Sequence, residues 1–189
     1  FGPSLSSTKE EIQWVDSYED ASAIKMYGSR YIFAELNQTV VAGNIRLNWT
    51  FSPTMSLQLF LQPMFAVGDY SEFKELSQPK SYKFNKYGEN GSTINYSAEN
   101  DEYTVNADPA NNGESYTFSN PDFNFKSLRG NIVFRWEFLP GSVFYLVWSH
   151  EQTNFEDPGR FNFKNDFRNL MTSESDNVYL AKIAYWFDI

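Results

Sequence analysis

The chain has 189 residues, room for one good-sized domain with an ample core. Its net charge of −9, single histidine and lack of cysteine argue against nucleic-acid binding and exclude disulfides, thiol catalysis and thiolate metal sites. No apolar run approaches the roughly 18–20 residues of a membrane helix, yet aromatics make up 19% of the residues, a composition compatible with strands that offer only alternate side chains to lipid.

In chain order, the start at Phe1-Gly2-Pro3, without Met or a leader pattern, suggests mature or truncated material. The first strand is predicted at 30–36, joined through Asn37-Gln38-Thr39 to a longer one at 41–51. There Val41, Gly43, Ile45, Leu47, Trp49 and Phe51 alternate with Ala42, Asn44, Arg46, Asn48 and Thr50. After a Ser52-Pro53-Thr54-Met55 turn, Leu57, Leu59, Leu61, Pro63, Phe65 and Val67 continue one apolar face opposite a largely polar one. A long acidic loop is expected at 68–126.

The alternation returns with Leu128, Gly130, Ile132, Phe134, Trp136 and Phe138 against Arg129, Asn131, Val133, Arg135 and Glu137. A tight turn, Leu139-Pro140-Gly141-Ser142, leads into a strand at 143–150, and a second long loop is expected at 151–176. The last strand, 177–189, sets Tyr179, Ala181, Ile183, Tyr185, Phe187 and Ile189 on one face, with Lys182 among Val178, Leu180, Ala184 and Trp186 on the other.

The pattern therefore predicts an all-β, antiparallel fold with about six strands. Eleven-residue strands rise about 36 Å, and a tilt of about 40° leaves roughly 28 Å, near the apolar height of a membrane barrel wall. With the C-terminus in the periplasm, both short turns fall on that side and both long loops outside, the arrangement of an outer-membrane barrel. Common single-chain barrels have eight or more strands, so upstream strands or another chain are expected to complete it.

Several segments carry a family resemblance. They are Tyr27-Gly28-Ser29-Arg30-Tyr31-Ile32-Phe33-Ala34, the stretch from Ile45 to Leu59, Gln62-Pro63 and Tyr70-Ser71-Glu72-Phe73-Lys74-Glu75-Leu76. The Arg135-Trp136-Glu137-Phe138-Leu139-Pro140-Gly141-Ser142 segment, within the wider match from Ser127, is the most specific, and Asn177 to Trp186 completes the set. Together they resemble the C-terminal β-barrel of the domain of unknown function 5916 family. The resemblance implies a Gram-negative outer-membrane barrel preceded by a module resembling family 9 carbohydrate-binding domains.

Four groups of candidate residues follow. Tyr179, Ala181, Ile183, Tyr185, Phe187 and Ile189 fit the C-terminal signal recognised by the outer-membrane assembly machinery, with Asp188-Ile189 in place of a terminal aromatic. Arg46, Arg129, Arg135, Glu137 and Lys182 are expected in the barrel lumen, either tuning permeation or filling it as salt bridges. Trp49, Phe51, Trp136 and Phe138, joined by Tyr185 and Phe187, fit a periplasmic-side aromatic girdle facing lipid. In the first long loop, tyrosines 70, 82, 87, 96, 103 and 116 can stack on a glycan. Oxygen ligands from Asp101, Glu102 and Asp108 through Asn111, Asn112, Gly113 and Glu114 can meet Ca²⁺, but they lack EF-hand spacing, which favours a solvated loop.

Carboxylate pairs such as Glu151/Glu156 and Asp101/Glu102 carry no specific hydrolase pattern, and no nucleotide-, serine-hydrolase- or zinc-protease motif occurs. The expected function is a non-enzymatic anchor or pore of a larger surface protein, without a cofactor. A soluble β-sandwich that binds carbohydrate and a structural barrel subunit of an outer-membrane complex are the alternatives.

Overall fold

The computed structural model describes residues 1–109, 114–155 and 160–187. Its strands are β1 (Gly2–Glu19), β2 (Ser29–Ser52), β3 (Met55–Leu76), β4 (Phe84–Lys86), β5 (Thr93–Ser97), β6 (Glu102–Asn106), β7 (Tyr116–Ser119), β8 (Phe123–Leu139), β9 (Ser142–Asn154) and β10 (Ser175–Ala184). One helix, α1 (Phe163–Thr172), and a 3-10 turn at Ile24–Met26 interrupt an otherwise all-β, antiparallel fold. The chain forms two compact units. One, the sheet unit, comprises Phe1–Ser7, Thr39–Val67 and Phe123–Ile189; the other, the core unit, comprises Thr8–Gln38 and Gly68–Asp122.

In the sheet unit the hydrogen-bonded order is β1-β2-β3-β8-β9-β10. Alternating β-branched and aromatic residues suit a pleated surface with two unlike sides. The β8–β9 ladder sets Val133 opposite Val147, and β9–β10 sets Leu146 opposite Ala181. Both expected tight turns are present, at Pro53-Thr54 and Pro140-Gly141. Gly141 takes φ +77°, a left-handed conformation that favours glycine. The Glu137 N–H donates to the Thr54 carbonyl at 2.8 Å, so the two turns share one end of the sheet. Among the described residues, the outer edges of β1 and β10 are unpaired and the order does not close.

The core unit builds a conventional interior from Ile32, Ala34, Phe73, Tyr87, Val105 and Phe118. Its β4 pairs with β3, and β5-β6-β7 form a separate three-stranded sheet. Full burial of a side chain such as Ile32 contributes about 1.5–3 kcal/mol.

Four expectations are corrected. The strands at 30–36 and 41–51 are one strand, β2, with Asn37-Gln38-Thr39 inside it and a neighbouring strand on each side. The polar N-terminal stretch is itself a strand. Neither expected long loop is a loop throughout: across 68–126 β3 continues to Leu76, β4 to β7 follow and β8 begins at Phe123, and within 151–176 β9 runs to Asn154, α1 follows and β10 begins at Ser175. The last strand ends at Ala184, paired with Val143, because the Trp186 N–H donates to the Ser142 side chain at 3.0 Å where β9 starts.

Candidate functional site

Register decides which side chains share a face. Across β8, β9 and β10, Ile132, Trp148 and Tyr179 align, as do Phe134, Leu146 and Ala181, and Trp136, Phe144 and Ile183. Gly130 and Gly43 extend this face onto its neighbours: a Cβ on Gly130 would meet the Leu61 side chain at 2.6 Å, and one on Gly43 would meet Pro63 at 3.4 Å. The apolar alternation of β2 and β3 thus joins that of β8 to β10. This face is open to its surroundings, with Leu47 44%, Trp49 56%, Leu146 44% and Ile183 68% exposed.

Aromatic rings mark two levels on that face. At the tight-turn end, Trp49 stacks on Phe51 with ring centroids 4.9 Å apart. Trp136, Phe138, Tyr185 and Phe187 form a connected series there, with centroid separations of 5.9, 6.4 and 5.5 Å. Further along the ladder, level with Ile132, Trp148 lies parallel to Tyr179 at 6.4 Å, and its indole N–H donates to Asn177 at 2.8 Å.

The opposite face holds Arg46, Arg129, Arg135, Glu137, Glu151 and Lys182. The ladders align Arg129 with Glu151, Asn131 with Ser149, and Arg135 with Tyr145 and Lys182. Arg129 pairs with Glu151 at 2.7 Å and Arg135 with Glu137 at 2.9 Å, while the Arg46 guanidinium lies 5.2 Å from the Phe60 ring centre. A concavity of about 330 Å³ is lined there by Arg46, Asn48, Gln58, Phe60, Asn131 and Val133. Its walls are mixed, with Leu59, Phe60 and Val133 beside the guanidinium and amide groups.

A third cluster holds α1 to the sheet. Lys126 is fully buried, its ammonium donating to Asn154 at 2.9 Å and lying 3.8 Å from Asp166. Asp166 also accepts from the Asn124 amide at 2.9 Å and from the Asn162 N–H at 2.7 Å. Burying charges this deeply is tolerable only with such mutual satisfaction.

In the core unit, Arg30 is the hub of a second polar network. It donates to Asp20 at 2.6 Å and to both oxygens of Glu75 at 2.8 Å; the Tyr87 hydroxyl donates to Glu75 at 3.2 Å. Burial pushes the Asp20 carboxyl up, but hydrogen bonds from Ser22 and Arg30 outweigh it and hold the group below its ordinary range. Burial pushes the Tyr18 hydroxyl up to about 12, and its ring stacks on Tyr116 at 3.6 Å.

The family model described as "Domain of unknown function (DUF5916)" matches residues 4–189. The chain belongs to this family. No curated protein and no solved structure matches it.

In this DUF5916 chain the residues expected in the lumen share one face, and Glu151 and Tyr145, which sequence reasoning did not select, share it with them. Tyr179, Ala181 and Ile183 lie on the apolar face as expected, whereas Asp188 and Ile189 lie outside the described residues. The loop tyrosines divide: Tyr87 is in the core, Tyr103 packs on Phe73 and Phe118, and Tyr82 and Tyr96 remain exposed. Asp101 accepts from the Tyr96 hydroxyl and from Asn120. Among the described residues no group of three acidic or histidine side chains forms a metal cradle. Asn111, Asn112, Gly113 and Glu156 lie outside the described residues. The Lys126–Asp166 and Arg30–Glu75 clusters were missed because each joins residues far apart in the chain, a pairing that no local pattern encodes.

Proposed function

We propose that the sheet unit is the C-terminal part of a Gram-negative outer-membrane β-barrel, a non-enzymatic anchor or pore for a larger surface protein. The observation that carries this reading is the exposed apolar face. Large side chains stay uncovered from β2 across to β10, while Arg46, Arg129, Arg135, Glu137 and Lys182 are confined to the other side. A sheet facing water on both sides would expose its polar side and cover its apolar one. Lipid reverses that preference, and charges then belong in the lumen.

Height supports the same reading. Leu128 to Phe138 rises about 34 Å along β8, or about 26 Å at a tilt of about 40°, close to an apolar band of ~25 Å. The aromatic series at the tight-turn end then marks the periplasmic-side interface. The unpaired edges of β1 and β10 require partner strands in lipid, supplied in this reading by upstream sequence or another chain. β10 serves as the strand that the assembly machinery engages. Glycan contact at the external loops rests only on the exposed Tyr82 and Tyr96.

Gel mobility of the full-length native protein from outer membranes, unheated against boiled in SDS, tests the proposal. A heat-dependent shift is expected, followed by a conductance measurement that separates pore from anchor. No shift, with release by alkaline carbonate, overturns it in favour of a soluble carbohydrate-binding sandwich.

A further inference from the structure

Helix α1 begins at Asn162, whose side chain accepts from the Asn165 N–H at 3.2 Å. Asp166 and Leu170 point inward, Leu170 being 1% exposed. One helical step round, Phe163, Phe167 and Met171 form an i, i+4, i+8 stripe that stays 58%, 47% and 40% exposed. Only one edge of the helix's apolar arc is therefore used by the protein.

The side of the sheet on which α1 sits gives this stripe its meaning. Asp166 meets Lys126, and the Gln152 amide donates to the Ser173 carbonyl at 2.7 Å. Lys126 and Gln152 have the same parity on β8 and β9 as Ile132, Phe134, Leu146 and Trp148. Phe65, on the apolar side of β3, lies 5.9 Å from Phe163 and 6.4 Å from Phe161 between ring centroids. The helix thus lies on the apolar face, beyond the Trp148–Tyr179 pair and away from the tight turns. Its exposed cations, Lys164 and Arg168, flank the stripe, and Arg160 precedes it by one turn. The helix's one acid, Asp166, is buried against Lys126, although Glu174 follows its end.

We propose that α1 is an interfacial helix lying on the outer rim of the bilayer. Its Phe163–Phe167–Met171 stripe enters the acyl region, and Arg160, Lys164 and Arg168 engage phosphates of anionic lipid headgroups. The proposal rests on the membrane reading of the sheet. Two features of the site carry it: the stripe continues an exposed apolar face, and the bordering charges are positive on a chain of net charge −9. A helix of ten residues spans about 15 Å.

The test uses full-length protein reconstituted in vesicles of phosphatidylethanolamine and phosphatidylglycerol. Nitroxide labels are placed at Phe167→Cys, with Phe163→Cys as a second position, at Leu146→Cys on the sheet and at Thr172→Cys on the back of the helix. Positions 163, 167 and 146 should collide several-fold more with oxygen than with a water-soluble nickel chelate, and position 172 the reverse. Oxygen preference at 146 but nickel preference at 163 and 167 overturns the interfacial helix and leaves the barrel. Nickel preference at 146 as well overturns both. Exclusion of both colliders from 163 and 167 means that a protein covers the stripe, and also overturns the inference. Lys164→Glu combined with Arg168→Glu should raise nickel collisions at 167 in these vesicles but not in zwitterionic phosphatidylcholine; equal behaviour in both overturns the contact with anionic lipid.

Discussion

The two units solve the same problem of residue sorting in opposite directions. The core unit buries Ile32, Phe73, Val105 and Phe118 and places its main charge network, Arg30 with Asp20 and Glu75, in a nearly closed setting. The sheet unit leaves Trp49, Trp136, Leu146 and Ile183 uncovered, and pairs Arg129 with Glu151 where both side chains remain at least half exposed. Composition alone does not separate the units, since both are rich in aromatics. What separates them is whether an apolar side chain finds another side chain to cover it, and this sets how much each residue contributes to stability.

The sharpest way to break the contrast is Arg30→Ala, which leaves Asp20 and Glu75 as buried, uncompensated carboxylates. It should destabilise the core unit by about 3–5 kcal/mol, seen as early proteolysis within Thr8–Gln38 and Gly68–Asp122 of the full-length protein. A loss below about 1 kcal/mol would mean that the network is far more solvated than its geometry implies.

Next in size is Leu146→Arg, which places a charge in the middle of the apolar face. In lipid it should cost about 2–4 kcal/mol in a urea titration of vesicle-folded protein. An unchanged midpoint would mean that this face meets water.

Acid should distinguish the units more gently. Asp20 is held below its usual range in the folded state, so its contribution is fully present above the unfolded value of 3.8 and is lost as pH falls through the depressed value. Asp20→Asn should flatten that acid limb of core-unit stability while leaving the sheet unit's limb unchanged; equal limbs in variant and parent would remove Asp20 from the account. The smallest effect is expected for Arg129→Ala, below about 1 kcal/mol, because its pair is exposed. A change in single-channel conductance with stability intact would assign Arg129 to permeation instead of packing.

Legibility follows the same division. In the stretches 41–67 and 128–138 the two faces differ so strongly that alternation located the strands and the shared face of Arg46, Arg129 and Arg135, whereas both faces of 143–150 are apolar or aromatic and that strand was placed by the Pro140-Gly141 turn before it. β1 was invisible because Ser4, Ser6, Ser7, Thr8, Lys9, Glu10 and Glu11 put polar groups on both faces. Its strand form comes from pairing with β2 rather than from its own pattern. Asn37-Gln38-Thr39 has turn-like chemistry, but it lies inside β2, which has a neighbouring strand on each side. The short strands β5 to β7 sit among Asn, Gly, Ser and Asp residues, and their inward side chains, Val105 and Phe118, are too few to set a period. Burial of Lys126 depends on Asn154 and Asp166, partners far along the chain, and no local pattern encodes it.

The strand order also has a kinetic consequence. Along β1-β2-β3-β8-β9-β10, every pairing but one joins strands consecutive in the chain. The β2–β3 and β8–β9 pairings close tight turns and zip rapidly, whereas β3 must wait for β8 across a much longer excursion, which carries a larger closure entropy. That excursion contains β5-β6-β7, which hydrogen-bond among themselves. Once formed, that small sheet shortens the effective loop that the β3–β8 pairing has to close.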